Sequence, residues 1–178
     1  VVNIHHQMDF ATHCRPHANE ILILGWGLYT VEEETTKAFY DQLTSIPEIT
    51  HRTMSAITQN CTYGLDNMHV ACTDADLSFF DFYDIQLLEG RLFSPGKQRL
   101  YEAIVNETFL KKQGITEPLG KTFQIWDETY TIVGVVADYP RDKLTREITP
   151  LFIRFSDTGS ERHIIRIQPG TRKIVEEK

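Results

Sequence analysis

The period of the apolar positions changes several times along the chain, and each change marks an element. Glu20 to Trp26, EILILGW, is short, apolar and partly β-branched, which predicts a buried strand. In TVEEETTKAFYDQLTSIP, Thr30 and Glu33 make a capping box. Val31, Thr35, Ala38, Phe39, Gln42, Leu43 and Ile46 follow at three-four spacing, so an amphipathic helix is expected over 31–46. Pro47 ends it, because proline has no N–H to donate and disfavours helix in the residue before it. Residues 48–58 alternate weakly and predict a strand. Residues 67–73 predict another, after the turn chemistry of Gly64, Asp66 and Asn67. Over 74–98 the pattern becomes aromatic and acidic: Asp76 is placed to cap a short helix through Leu77, Phe79, Phe80 and Phe82. IQLLEGR then reads as a brief strand closing at Gly90, and Pro95-Gly96 as a turn.

The later pattern is more regular. Ala103 to Val105 reads as a strand. Asn106 follows as a helix N-cap, with Glu107 in the first turn, Lys111 and Lys112 in the last, and Gly114 at the left-handed C-terminal position. Pro118-Leu119-Gly120 is turn chemistry. Residues 121–126 and 129–137 predict two strands around Asp127-Glu128; Phe123 and Ile125 share one face of the first, as Tyr130, Ile132, Gly134 and Val136 share one face of the second. Further strands are expected near 151–155 and 163–168, and a helix in PGTRKIVEEK. Strands and helices mixed in this order give an α+β fold class.

Composition narrows the function classes. The 178 residues suit one domain or two small lobes, and 41% hydrophobic residues suffice for a core. Eighteen basic against 25 acidic residues leave a net charge of -7, which repels phosphate backbones and argues against nucleic acid as a partner. No apolar run approaches the ~18 residues that cross a bilayer. The first residue is Val1, so the chain reads as an excised or processed piece of something larger.

Several stretches suggest chemistry and then fail its requirements. GITEPLGKT (114–122) ends in the Gly-Lys-Thr of a phosphate-binding loop. That loop needs four residues between its glycines and lies between a strand and a helix. Here five residues separate Gly114 from Gly120, and the segment follows a helix and feeds a strand. A turn into a strand explains it better. His5, His6, His13, Cys14 and His17 could hold a metal weakly, but their spacing matches no closed four-ligand pattern, and a solvated lead-in over 1–19 is the simpler reading. Asp74, Asp76, Asp81 and Asp84 suggest calcium without the glycine and closing glutamate of an EF-hand loop; Asp76 serves better as a cap and the others as a wet helix face. Asp138 follows a strand, where catalytic carboxylates often sit. No base or nucleophile motif accompanies it, and an Asp opening the turn before Pro140 accounts for it. Cys61 and Cys72 flank an expected hairpin and either pair across it or stand as two small hydrophobes in strands.

One ordered set of motifs is more informative. DLSFFDFYDIQLLEGRLFS, EAIVNETFLKKQGITEPLGKTF and YTIVGVVADYPRDKLTREITPLFI follow each other over 76–153. Together they resemble the MacB-like periplasmic core domain of FtsX-type ABC transporter permeases. The shared features are Phe-Phe before Leu-Leu-x-Gly-Arg, then Val-Asn-Glu-Thr, Pro-Leu-Gly-Lys, Ile-Val-Gly-Val-Val-x-Asp, and a late Pro before a strand. With the upstream FYDQLTSIPEITHRT, the resemblance covers most of 20–168.

The resemblance implies an inner-membrane protein with this domain periplasmic, anchored by helices before Val1 and after Lys178. It implies two lobes: a β-α-β, porter-like lobe over 20–75 and 150–178, and an inserted β-rich lobe with short helices over 76–149. It implies no catalysis and no cofactor. The ATPase would be a separate cytoplasmic subunit or domain, the full permease a homodimer, and the work efflux, lipoprotein release or activation of a periplasmic partner. The aromatic run Phe79, Phe80, Phe82 and Tyr83 is the candidate partner contact, since four rings on a short helix cannot all face one core; burial between the lobes is the competing reading. A second functional class is a stand-alone periplasmic binding module with a ligand cleft between lobes or a metal at the His-rich start.

Overall fold

A computed structural model describes residues 20–24, 42–57, 70–125, 127–139, 148–156 and 162–177. Their strands are β1 (Ile21–Leu24), β2 (Ile49–Ile57), β3 (Ala71–Ala75), β4 (Leu87–Gly90), β5 (Glu102–Asn106), β6 (Thr122–Ile125), β7 (Glu128–Val136), β8 (Leu151–Phe155) and β9 (Arg162–Ile167). The helices are α1 (Phe79–Phe82), α2 (Glu107–Gln113) and α3 (Arg172–Glu176), with a 3-10 turn at Lys97–Tyr101. The fold is α+β. All the strands join one sheet in the order β1-β9-β2-β3-β8-β5-β7-β4, with β6 also paired to β7. The strands of 20–75 and 150–178 thus lie side by side, and those of 76–149 continue from β8 through β5.

The sheet is mixed because the connections differ. β2 and β3 pair antiparallel, whereas β3 with β8 and β5 with β7 pair parallel. Parallel neighbours need a crossover, and α2 lies in the one between β5 and β7. The central strands are buried on both faces, so they read as continuous apolar runs rather than alternations. In β8, Leu151, Ile153 and Phe155 join one cluster with Phe79 and Phe80 of α1, while Phe152 joins Phe109 of α2 on the opposite face. Toward β1 the same two layers persist. Leu22, Leu24, Ile165 and Ile167 pack under Leu43 and Val175, while Ile21 and Ile164 pack under Phe82.

Several expectations shift. Of the helix expected over 31–46, residues 42–44 are helical, and Ser45 and Ile46 close it with turn bonds to Gln42 and Leu43; its earlier part lies outside the described residues. The strand expected over 67–73 appears as β3, so Asp74 belongs to a strand rather than to the wet face of a helix. The facing of β7 is the clearest correction. Tyr130 and Ile132 do share a face, but Val136 lies on the other, with Val135 taking the Tyr130 side. The cause is a bulge: Ala103 pairs with Ile132 and Ile104 with Gly134, leaving Val133 as an extra residue that reverses the alternation.

Glycine is required at that bulge. A Cβ on Gly134 would meet the Arg91 carbonyl oxygen at 2.2 Å, and one on Gly90 would meet the Val133 oxygen at 2.3 Å. The backbones of β4 and β7 therefore approach more closely than any side chain permits.

Candidate functional site

The phosphate-loop letters build a turn. Leu119 and Gly120 occupy its centre, Gly120 has φ +80, and the Lys121 N–H donates to the Pro118 oxygen at 3.1 Å. The Gly120 N–H donates to Ile132 at 2.9 Å, and the Lys121 oxygen accepts from Ile132 at 2.8 Å. The Gly120 amide is spent on β7 and the Lys121 amide on the turn itself, and β6 follows instead of a helix.

Asn106 and Asp138 organise the N-terminus of α2. Asn106 Oδ1 accepts from the Phe109 N–H at 3.0 Å and from the Leu151 N–H at 2.8 Å, while Nδ2 donates to the Thr149 oxygen at 3.1 Å. The expected N-cap is present, and it also ties α2 to the start of β8. Asp138 accepts from the Thr108 N–H at 3.0 Å and from its hydroxyl at 2.7 Å, and its own N–H donates to Glu107 Oε2 at 3.2 Å. A carboxylate beside free helix amides is electrostatically favoured there. The Asp138 partners are therefore cap atoms, and the Val-Asn-Glu-Thr and Val-Val-x-Asp motifs meet at one helix end.

The four acidic residues separate. Asp74 faces Arg154 across the parallel ladder and takes a two-pronged contact, Nε to Oδ1 at 2.7 Å and Nη2 to Oδ2 at 2.8 Å. Asp76 accepts from the Thr53 hydroxyl at 2.7 Å, the Met54 N–H at 3.0 Å and the Ser78 N–H at 3.1 Å. It thus fastens the lead into α1 onto β2; the N-cap of α1 itself is Ser78. Burial raises the Asp76 pKa, against the opposing pull of these donors and of Arg52. Asp81 and Asp84 are exposed, and Arg166 reaches Asp84 at 3.3 Å. Among the described residues no group of three or more His, Cys, Asp or Glu side chains is arranged to hold a metal ion. The histidines of 1–19, Cys14 and Cys61 lie outside them; Cys72 is buried in the core.

The aromatic run packs inward. Phe79, Phe80 and Phe82 are 3%, 2% and 1% exposed, and Tyr83 is half-buried. Phe79 and Phe80 contact each other edge-on with centroids 5.6 Å apart, and Phe80 lies against Phe93 at 5.8 Å. What this stretch offers to solvent is Leu77, 48% exposed, with Ser78 and Asp81.

Two polar groups that pattern reading passed over complete the picture. Glu102, at the start of β5, is held by Arg91 through two contacts of 2.6 and 3.1 Å and by the Ser94 N–H at 2.7 Å. Burial alone would raise its pKa, but these donors bring it down to about 2. His163 in β9 is buried, which lowers its pKa to about 4. It lines a pocket of about 60 Å³ with Arg52, Thr53, Asp76 and Ser78. Sites for organic ligands usually run to ~300–1,000 Å³, so this one has room for only a few waters. Nothing in either sequence order or spacing marks Glu102 or His163, because each is defined by what folds over it.

Among the described residues no helix is long and apolar enough to cross a membrane. No curated protein sequence matches the chain. Solved structures share its fold, among them the following two. The periplasmic region of MacB from Actinobacillus actinomycetemcomitans aligns at 16% identity over 79% of this chain and 68% of that one, with a TM-score of 0.55. The extracellular domain of the noncanonic ABC-type transporter YknZ from Gram-positive bacteria aligns at 16% identity over 78% of this chain and 75% of that one, with a TM-score of 0.56. A family model for the MacB-like periplasmic core domain matches residues 16–173, which take in all nine described strands, and the chain belongs to that family.

Proposed function

We propose that this chain is the extracytoplasmic domain of an ABC transporter permease and that it transmits ATP-driven motion to a periplasmic substrate or partner, without catalysing a reaction itself. The observation that carries this reading is the ladder of β1 and β9. Ile21, the first residue of β1, stands opposite Arg166, one residue before β9 ends, so the start of β1 and the end of β9 lie at one end of the ladder. Val175 of α3 then folds back over Leu22 and Leu24. Segments attached before β1 and after α3 would move this one end together. The sheet beyond it has strands buried on both faces, and so close-packed an interior passes displacement on rather than absorbing it. The polar groups of the chain support the same reading, since Asn106, Asp138, Asp74 and Asp76 all bind protein atoms.

In this proposal the flanking segments are inner-membrane helices, and the ATPase is a cytoplasmic subunit or domain of a homodimeric permease. The strands of 20–75 and 150–178 form the lobe nearer the membrane attachments, and 76–149 form the inserted lobe that meets the partner. The test is made on the parent permease in lipid nanodiscs with its ATPase. Spin labels on Asp81→Cys and Glu177→Cys are expected to change their separation from the same pair on the second protomer when ATP binds. Identical separations with and without ATP would sink the proposal, as would turnover of any substrate by the purified chain.

A further inference from the structure

α1 is a single helical turn, too short to hold its shape alone. It is held at both ends by the outer strands. At its start, Asp76 binds β2 through Thr53 and Met54, and the Asp76 N–H returns a bond to the Met54 oxygen at 3.2 Å. At its end, Arg166 of β9 donates to the Phe82 carbonyl, and its guanidinium carbon lies 5.2 Å from the centre of the Phe82 ring. Phe82 in turn packs on Ile21 and Ile164. Between these ends, Phe79 and Phe80 sit in the cluster that holds Phe93, Ile104 and Ile153.

Arg166 occupies the rung opposite Ile21, at the start of β1 and one residue before the end of β9. Asp84, two residues beyond α1, has φ +53, the one non-glycine among the described residues with positive φ. Such a backbone persists only where its surroundings hold it. The carboxylate of Asp84 contributes little to that hold, being 65% exposed and so screened by solvent. The hold comes from protein contacts on either side of it: the Asp84 N–H donates to the Asp81 oxygen at 3.3 Å, the Ile85 N–H donates to the Phe80 oxygen at 2.9 Å, and Arg166 reaches the Phe82 carbonyl and ring.

We propose that α1 is a relay bar: a displacement of the rung of Ile21 and Arg166 is carried by Arg166 and Phe82 into α1, and by Phe79 and Phe80 into the β5–β8 core. The inference rests on the reading of the domain as a transmitter of motion. Its test needs neither ATP nor a partner. The relay can therefore fail while ATP-driven movement in the permease stands, and the reverse.

Hydrogen exchange of the chain reads it directly, through the amides of Phe82, Tyr83 and Ile85, which donate to Ser78, Phe79 and Phe80. Arg166→Met keeps the aliphatic stem and removes the fork. It is expected to speed exchange at these amides by about 10-fold or more while Ile104 and Val105 stay protected. Ile21→Ala is expected to speed the same amides in the wild-type background, and by less than about 2-fold once Arg166→Met is present. Arg166→Lys, which keeps the charge and loses the planar contact on the ring, should fall between, and it replaces Arg166→Met if that variant does not fold. An Ile21→Ala effect of equal size in both backgrounds overturns the relay. So does unchanged exchange at α1 when Arg166 is altered, or an equal rise at Ile104.

Discussion

Asn106 and Leu151 lie 45 residues apart in sequence and share a hydrogen bond of 2.8 Å, the Leu151 N–H donating to the same oxygen that caps α2. One amide side chain therefore starts a helix and fixes where β8 begins. Asn106 is 1% exposed, so no water replaces these bonds when they are lost.

Asn106→Ala is accordingly expected to destabilise the chain by about 2–4 kcal/mol, from the lost cap and the buried Leu151 N–H left without an acceptor. Asp138→Ala, which leaves Asn106 in place, should cost about 1 kcal/mol. Urea denaturation of the three proteins checks the order; an Asn106→Ala loss no larger than that of Asp138→Ala contradicts the double role.

Glycine substitutions separate clash from backbone strain. Gly134→Ala drives a methyl into the Arg91 carbonyl and should cost about 2 kcal/mol or more. A Cβ on Gly120 meets nothing within 4 Å, so Gly120→Ala bears only the left-handed backbone, about 1 kcal/mol. Melting curves that rank the two the other way would refute the close β4–β7 approach.

The Asp74–Arg154 pair joins β3 to β8, with side chains 17% and 12% exposed. Removing one partner strands a largely buried charge. Asp74→Asn should therefore cost about 3 kcal/mol, whereas Asp74→Leu combined with Arg154→Met should recover much of that loss. A double variant no more stable than Asp74→Asn alone would show that the pair itself, rather than its charge balance, holds the ladder.

Acid should weaken the fold in two steps. His163 has a native pKa of about 4, below the ordinary 6.5, so the unfolded chain takes its proton first. The stability owed to neutral His163 is complete above pH 6.5 and is lost as pH falls toward 4, on the order of 3 kcal/mol. Glu102, lowered from 4.5 to about 2, adds a second loss across that lower window. Asp76 acts oppositely: its raised pKa means the native state binds the proton more tightly, so its contribution grows as pH falls. His163→Leu should flatten the stability profile between pH 6.5 and 4, measured by denaturant unfolding at each pH. A profile as steep as the wild type's removes His163 as the cause.

Local rules made most of the elements legible. The N-cap at Asn106, the left-handed Gly114 and the turn at Gly120 follow from backbone chemistry that acts within a few residues, and each stands where the sequence places it. The strand β8 was readable for a different reason: it is buried on both faces, and its run LFIRF is apolar at every position but Arg154. The facing of Val136 was not legible, since one bulge at Val133 reverses a period of two without leaving a mark in composition.

The sequence by itself determined where this chain turns, caps and buries, because those preferences are settled between neighbours in the chain. Only the tertiary structure decided that Asp138 serves α2, that Asp74 meets Arg154, and that Arg166, opposite the start of β1, reaches the Phe82 carbonyl. Such pairings depend on strand order and register, which are fixed by the packing of residues 30 to 84 positions apart in the chain.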